Sequence, residues 1–292
     1  MTTAKQTDTL SQLVTKCPHC GKKILTLAGY IVQGDYTDPR QNVTRGLKLA
    51  CDCRAAQREQ EENNALFDAV KRSKEKQTAE SAFERRFAAS GMPENWKTRG
   101  LHLWQTQTPD QQNALDEAKI FLLEKLDRGW VKSDRGWVKS TNSLYIAGDI
   151  GTGKTFLASC LAVELVSNGA RVLWRNVSDV LREIRASFNQ RDVSEQDIID
   201  RFISPAVLFL DDLGKERPSE WAIEQLFAIL NARYDRELPV VVTTNYGGAE
   251  LARRLTPAKQ ANGDADDTTA QAIVDRLRGT SNVVILQGGS RR

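Results

Sequence analysis

Past Ser140 the chain alternates unbroken apolar runs with longer segments whose apolar residues recur every three or four positions. LYIAG, ARVLWRNV, AVLFLDD and PVVVTTN read as strands, and FLASCLAVELVSNG and WAIEQLFAILNARYDRE as helices between them. Strands apolar throughout their length, separated by helices, indicate a parallel sheet covered on both faces. The polar stretch Thr256 to Thr269 is expected to be a loop, followed by a helix around Ala270–Arg278 and a last strand at Val283–Leu286. The expected fold is therefore α/β.

Upstream the pattern changes. Residues 54–90 lack Gly and Pro and are rich in Ala, Glu, Lys, Arg and Gln, which predicts a long exposed helix, either a solvated linker or a partner-binding element. Gly91 and Pro93 end it. A further helix begins with Thr108 as N-cap and Pro109 at its first position, with Leu115, Ala118, Phe121, Leu122 and Leu126 along one face. Asp127–Ser133 and Asp134–Ser140 are identical heptads, DRGWVKS. They read as a tandem duplication in a surface loop, or as two tryptophans placed to stack on bases beside Lys132 and Lys139.

Composition narrows the class. In 292 residues, 41 Lys plus Arg face 38 Asp plus Glu, so any nucleic-acid surface must be local. No apolar run approaches the roughly 20 residues that cross a bilayer, and the polar start Met1–Lys16 carries no secretion signal, so a cytoplasmic protein without membrane attachment is expected. Four of five cysteines lie within the first 53 residues, and in a reducing compartment such clusters point to metal. Cys17-Pro18-His19-Cys20-Gly21 resembles a zinc knuckle, with Cys51 and Cys53 completing a tetrahedral Zn²⁺ site; four thiolates leave no open position for catalysis. His19 is expected to face solvent, and Cys160 to be a small core residue.

The strongest chemical signal is Gly148-Asp149-Ile150-Gly151-Thr152-Gly153-Lys154-Thr155, a phosphate loop between a strand and a helix. Its glycines let backbone N–H groups curl round phosphates, Lys154 reaches the β and γ phosphates, and Thr155 ligates Mg²⁺. Asp211 and Asp212 end the strand AVLFLDD; Asp211 would complete the Mg²⁺ shell and Asp212 polarise the attacking water. Asn245 ends the next strand beside the γ phosphate. Arg171–Arg191 holds five arginines, and on a helix from Ser178 Arg182, Arg185 and Phe188 lie along one line, either as DNA contacts or with Phe188 as core.

GDIGTGKT, FLDDLG, NARYDRELPVVVTTN, IVDRLRG and the final SRR, with FAASGMP before them, resemble the helicase-loader ATPases of the DnaC and DnaI type and their relative IstB, within the AAA+ superfamily. The resemblance covers about residues 83–292. It implies an AAA+ ATPase domain at 101–292; the cysteine spacing and the Gly- and Pro-free stretch place before it a zinc-binding module at 1–53 and a helical partner-binding or linker segment at 54–100. It further implies ATP as ligand, Asn245 as γ-phosphate sensor, Arg276 as an arginine finger acting on a neighbouring subunit, and Arg292, or Arg291 in its place, as a second nucleotide sensor.

The function so implied is ATP-dependent loading of a DnaB-type replicative DNA helicase onto single-stranded DNA, in a phage or prophage replication module, by self-assembled subunits. An IstB-like transposition helper and an ATP-binding adaptor without useful turnover remain alternatives. Many AAA+ ATPases carry Glu where this chain has Asp212, whose shorter arm implies slow hydrolysis used as a switch.

Overall fold

The computed structural model describes residues 12–27, 53–126, 130–133, 136–139, 143–187, 195–215, 218–257 and 267–288. The chain divides into two compact units, Met1–Ser81 and Ala82–Arg292. Cys51, Phe188, Arg291 and Arg292 lie outside the described residues.

In the first unit β1 (Gln12–Lys16) pairs antiparallel with β2 (Lys23–Leu27), Lys16 opposite Lys23. Gly21, at φ +74°, makes the intervening turn possible: its N–H donates to the Cys17 carbonyl at 2.9 Å, and the Cys17 N–H to the Lys22 carbonyl at 2.8 Å. The expected long helix is α1 (Arg54–Ser90), and the division between units falls within it.

The second unit begins on the last turns of α1, where Phe83 and Phe87 join an apolar cluster with Met92, Leu101 and Trp104. α2 (Pro109–Leu126) starts as expected, the Thr108 hydroxyl accepting the Gln111 N–H at 3.4 Å. The duplicated heptad is not an irregular loop over its described residues. β3 (Trp130–Ser133) and β4 (Gly136–Lys139) form an antiparallel pair with Val131 opposite Val138, one strand from each copy, in keeping with the strand preference of Trp and Val.

The central sheet has five parallel strands in the order β6-β7-β8-β5-β9. In chain order these elements are β5 (Ser143–Gly148), α3 (Lys154–Ser167), β6 (Val172–Asn176), α4 (Val177–Ser187), α5 (Glu195–Ile203), β7 (Val207–Leu213), α6 (Glu220–Asp235), β8 (Val240–Thr244), α7 (Gly248–Leu255), α8 (Thr268–Gly279) and β9 (Ser281–Leu286). Strand alternation feeds two cores. Leu144, Ile146, Phe209 and Val241 pack with α2 and α3, while Tyr145, Ala147, Leu208 and Val242 pack with α4 to α8.

Arg233 of α6 is fully buried, with no carboxylate partner among the described residues. Its guanidinium donates to the carbonyls of Phe202, Ile203, Pro205, Ala206 and Pro239, at 2.7–3.4 Å. It thereby caps the C-terminal end of α5 and pins the approach to β7 and β8. Desolvation pushes its pKa down to about 10, so it stays protonated at neutral pH. The helices α5 and α7 were not legible as such in the chain.

Candidate functional site

The site forms where β5, β7 and β8 end. Gly148 closes β5 at φ +152°, where a Cβ would come within 2.1 Å of the Leu286 carbonyl oxygen, so only glycine fits between the loop and β9. Gly153, at φ +95°, turns the loop into α3, whose first N–H groups then face the cavity. The Thr152 hydroxyl braces the loop by donating to the Asp149 carbonyl at 2.9 Å. Lys154 is buried and donates to the carbonyls of Gly148 at 2.8 Å and Asp149 at 2.7 Å. Burial lowers its pKa, opposed by the charges of Asp212, Asp149 and Asp211.

A cavity of about 980 Å³ opens above this loop, lined by Ile150, Gly151, Gly153, Lys154, Thr155, Asp212 and Asn245. The structure thus brings together these seven residues of the expected phosphate site from three separate strand ends. Asp211 lies beneath: its Oδ1 accepts from the Thr155 hydroxyl at 2.9 Å and from the Thr243 hydroxyl at 2.5 Å. Burial raises the Asp211 pKa, and the two hydroxyl hydrogen bonds work against that. Two oxygens about 2.9 Å apart are spaced as neighbouring ligands on an octahedral ion with bonds of about 2.0–2.1 Å, so Thr155 and Asp211 suit Mg²⁺.

Thr243 is a positioning residue the sequence did not single out. Its hydroxyl also accepts the Asp212 N–H at 3.0 Å, so one side chain holds both acids. β7 slips register against β8 between Leu210 and Leu213, and Asp212 sits in that irregularity at φ +59°, a left-handed conformation uncommon for a non-glycine residue. Neighbours on a regular strand point to opposite faces, yet across this slip Asp211 bonds to Thr155 and Asp212 lines the cavity that Thr155 also lines.

The far wall of the cavity comes from residues 96–111, also unpredicted. Trp96, Arg99, Leu103, Trp104 and Gln111 line it with Phe156 of α3. The Trp104 and Phe156 rings stack at 6.4 Å, Arg99 lies 4.2 Å from the Trp96 ring centroid, and Trp104 Nε1 donates to the Gln111 carbonyl at 3.0 Å.

Arg276, expected to act in trans, is not among the residues that line this cavity. Its Nε donates to Asn231 Oδ1 at 2.9 Å, Nη1 to the Ala272 carbonyl at 3.3 Å, and its guanidinium lies 4.7 Å from the Phe227 ring centroid. Arg182 and Arg185 are exposed on α4, whose other face buries Val180 and Ile184. Arg182 pairs with Asp179 at 2.9 Å, and Arg185 lies 5.1 Å from the Trp221 ring centroid.

In the N-terminal unit the sulfurs of Cys17, Cys20 and Cys53 lie within 4.8 Å of one another, the Cys17–Cys53 pair at 3.9 Å. That is far beyond a disulfide bond and close to the separation, about 3.8 Å, of two thiolates on a tetrahedral ion with 2.3 Å bonds. Cys17 is buried with Ala56, and the Cys53 carbonyl accepts the Gln57 N–H at 3.0 Å, fixing that cysteine at the start of α1. The donor set fits zinc. His19 is exposed, and its Nε2 also contacts Glu59 Oε2 at 2.6 Å. Cys160 is wholly buried, as expected, its thiol pushed up to about 11 by desolvation.

Among the described residues no helix is long and apolar enough to cross a membrane. The crystal structure of DnaI matches with a TM-score of 0.53 at 24% identity, covering 69% of this chain and 95% of that one. That of the DnaC helicase loader matches at 0.52 and 20%, covering 66% and 99%. Both share this α/β fold, a parallel sheet flanked by helices. In sequence, the replicative helicase loader DnaC of Escherichia coli (strain K12) is 23% identical over 75% of this chain and 79% of its own length. The replicative helicase loader DnaI of Bacillus subtilis (strain 168) is 26% identical over 51% of this chain, which spans only 47% of that protein. The putative ATP-binding protein of insertion sequence IS21 from Pseudomonas aeruginosa is 26% identical over 52% and 53%. The family model described as IstB-like ATP binding protein matches residues 104–292, well over half of the sequence, and the chain belongs to that family.

Proposed function

We propose that this protein is an ATPase that loads a DnaB-type replicative helicase onto single-stranded DNA. The observation that carries this choice is the reach of the similarity to DnaC. It runs over 219 residues, longer than the stretch matched by the family model, whereas the similarity to the IS21 protein stops at 152. In this reading ATP occupies the large cavity, Lys154 and the loop amides hold its phosphates, and Thr155 and Asp211 would hold Mg²⁺, which would supply charge neutralisation. Asp212 orients water and Asn245 senses the γ phosphate. Arg182 and Arg185 contact the DNA backbone.

Arg276 acts on the nucleotide of a neighbouring subunit, which requires release from Asn231. Arg276→Ala is therefore expected to lower turnover about a thousandfold while ATP affinity stays within about twofold. Loss of affinity in step with turnover, read by nucleotide titration, would assign it a structural role instead.

The cysteine cluster binds one Zn²⁺ and stabilises the N-terminal unit. Chelation is expected to make Cys17, Cys20 and Cys53 alkylate rapidly, while Cys160 stays unlabelled until denaturant is added. Equal labelling with and without chelator, read by peptide mass spectrometry, would remove zinc from the account.

Partner choice is tested by co-purification with a DnaB-type helicase, with and without ATP. A nucleotide-dependent complex supports loading; capture of an IS21-type transposase instead would establish the transposition reading, which the family model's description also favours.

A further inference from the structure

Asn245 reaches the nucleotide cavity from a segment outside the regular elements, since β8 ends at Thr244 and α7 begins at Gly248. Side chains hold that segment instead of a ladder. The Thr244 hydroxyl donates to the Leu213 carbonyl at 2.7 Å and accepts the Tyr246 N–H at 3.2 Å, closing a small turn around Asn245. From the other side the Tyr145 hydroxyl donates to the Tyr246 carbonyl at 2.9 Å. Tyr145 stands opposite Val242 in the β5–β8 pairing, so its ring spans along the sheet to a backbone group four residues past that partner. With its N–H and its carbonyl both held, Tyr246 is fixed in φ and ψ, and Asn245 is the residue immediately before it.

The ring of Tyr246 ties the segment to the Asp212 turn as well. Gly214, at φ +84°, leaves room for it: a Cβ there would lie 3.1 Å from the Tyr246 ring and 2.5 Å from Leu251. Arg254 covers the ring at 4.6 Å from its centroid. Tyr145 itself is 2% exposed and packed in the core under α6 and α8. Burial pushes its hydroxyl up to about 12, against the pull of the Arg278 charge, so it remains a proton donor at neutral pH.

We propose that Tyr145 is a positioning residue for γ-phosphate readout, its hydroxyl holding the Tyr246 backbone so that the Asn245 amide faces the phosphate. The proposal rests on the reading of the chain as an ATPase in which Asn245 senses the γ phosphate. Tyr145 is not among the residues that line the cavity, so it acts through Asn245. It also joins two strands with different duties: β5 ends in the phosphate loop at Gly148, and β8 leads to the sensor. Without the hydroxyl the Tyr246 carbonyl turns to water, and Asn245 samples orientations that miss the phosphate. Misplacement of a polar group by about 1 Å is enough to cost a large factor in rate.

The test is a double-mutant cycle on steady-state ATP turnover by the full chain, with ADP affinity and melting temperature read on the same preparations. Phe fills the space of the Tyr ring, so Tyr145→Phe keeps the packing and loses the one hydrogen bond. It should lower kcat about tenfold while ADP affinity, which involves no γ phosphate, stays within about twofold. In an Asn245→Ala background the same change should alter kcat by less than about twofold, because the group being positioned is gone. An equal loss in both backgrounds would mean that the hydroxyl does not act through Asn245 and overturns the proposal. Wild-type turnover by Tyr145→Phe, with Asn245→Ala impaired, overturns it and leaves Asn245 as the sensor. Wild-type turnover by Asn245→Ala removes the sensor reading and the proposal together. Loss of ADP affinity in step with kcat and melting temperature assigns the hydroxyl to stability alone and also overturns it.

Discussion

Lys154→Ala is expected to weaken ATP binding about a hundredfold, which is what two charge-assisted hydrogen bonds to phosphate oxygens contribute. The ammonium bonds to the Gly148 and Asp149 carbonyls, contacts that the ATP phosphates would replace. Both carbonyls belong to the loop beneath an open cavity, where water can replace the lysine. The variant should therefore keep nearly the wild-type melting temperature while calorimetric titration shows the loss of affinity. Wild-type affinity in a folded Lys154→Ala protein would mean that the nucleotide does not sit on this loop.

The largest expected effect on stability lies elsewhere, at Arg233. Replacement by Met keeps most of the stem's volume but removes the guanidinium from the Phe202, Ile203, Pro205 and Ala206 carbonyls at the end of α5 and the approach to β7, while the Pro239 carbonyl keeps the Leu208 N–H at 3.2 Å. Each buried acceptor left unsatisfied costs about 1–3 kcal/mol, partly recovered because the desolvated charge disappears as well. A net loss of about 4 kcal/mol, or a melting temperature about 10 °C lower, is expected from thermal unfolding. Arg233→Lys should fall between, since one ammonium cannot span all five acceptors. An unchanged melting temperature for Arg233→Met would show that the buried charge costs as much as its hydrogen bonds return.

How much of this was legible in the chain follows from sequence separation. The phosphate loop is contiguous, so its eight residues declare both their conformation and their chemistry. Four of the five parallel strands were legible because a strand buried on both faces has an apolar run that nothing else of that length explains, and β9, whose Val283 and Ile285 are exposed, was legible from its short apolar run alone. Thr243 was not legible as the holder of the two acids, because its partners lie 31 and 32 residues away and TTN has no chemical signature of its own. Arg233 sits in a helix that reads as amphipathic, where an arginine ordinarily faces water. The wall built by Trp96, Arg99 and Trp104 belongs to a stretch of one-turn helices without periodicity. Helix α7 was hidden by Tyr246-Gly247-Gly248, which reads as loop, and by its length of eight residues. In the N-terminal unit Cys17, Cys20 and Cys53 were legible as ligands from their spacing and Gly21, and the structure adds that Cys53 reaches the pair from the start of α1.

Helicase loading itself is measured most directly as strand unwinding by a DnaB-type helicase whose only single-stranded template is a covalently closed circle, which a closed ring cannot thread. Adding this protein with ATP should start unwinding, and the Lys154→Ala protein should not. Equal unwinding with and without the protein, under conditions where it binds ATP and the helicase is active on a linear template, would contradict the loader account.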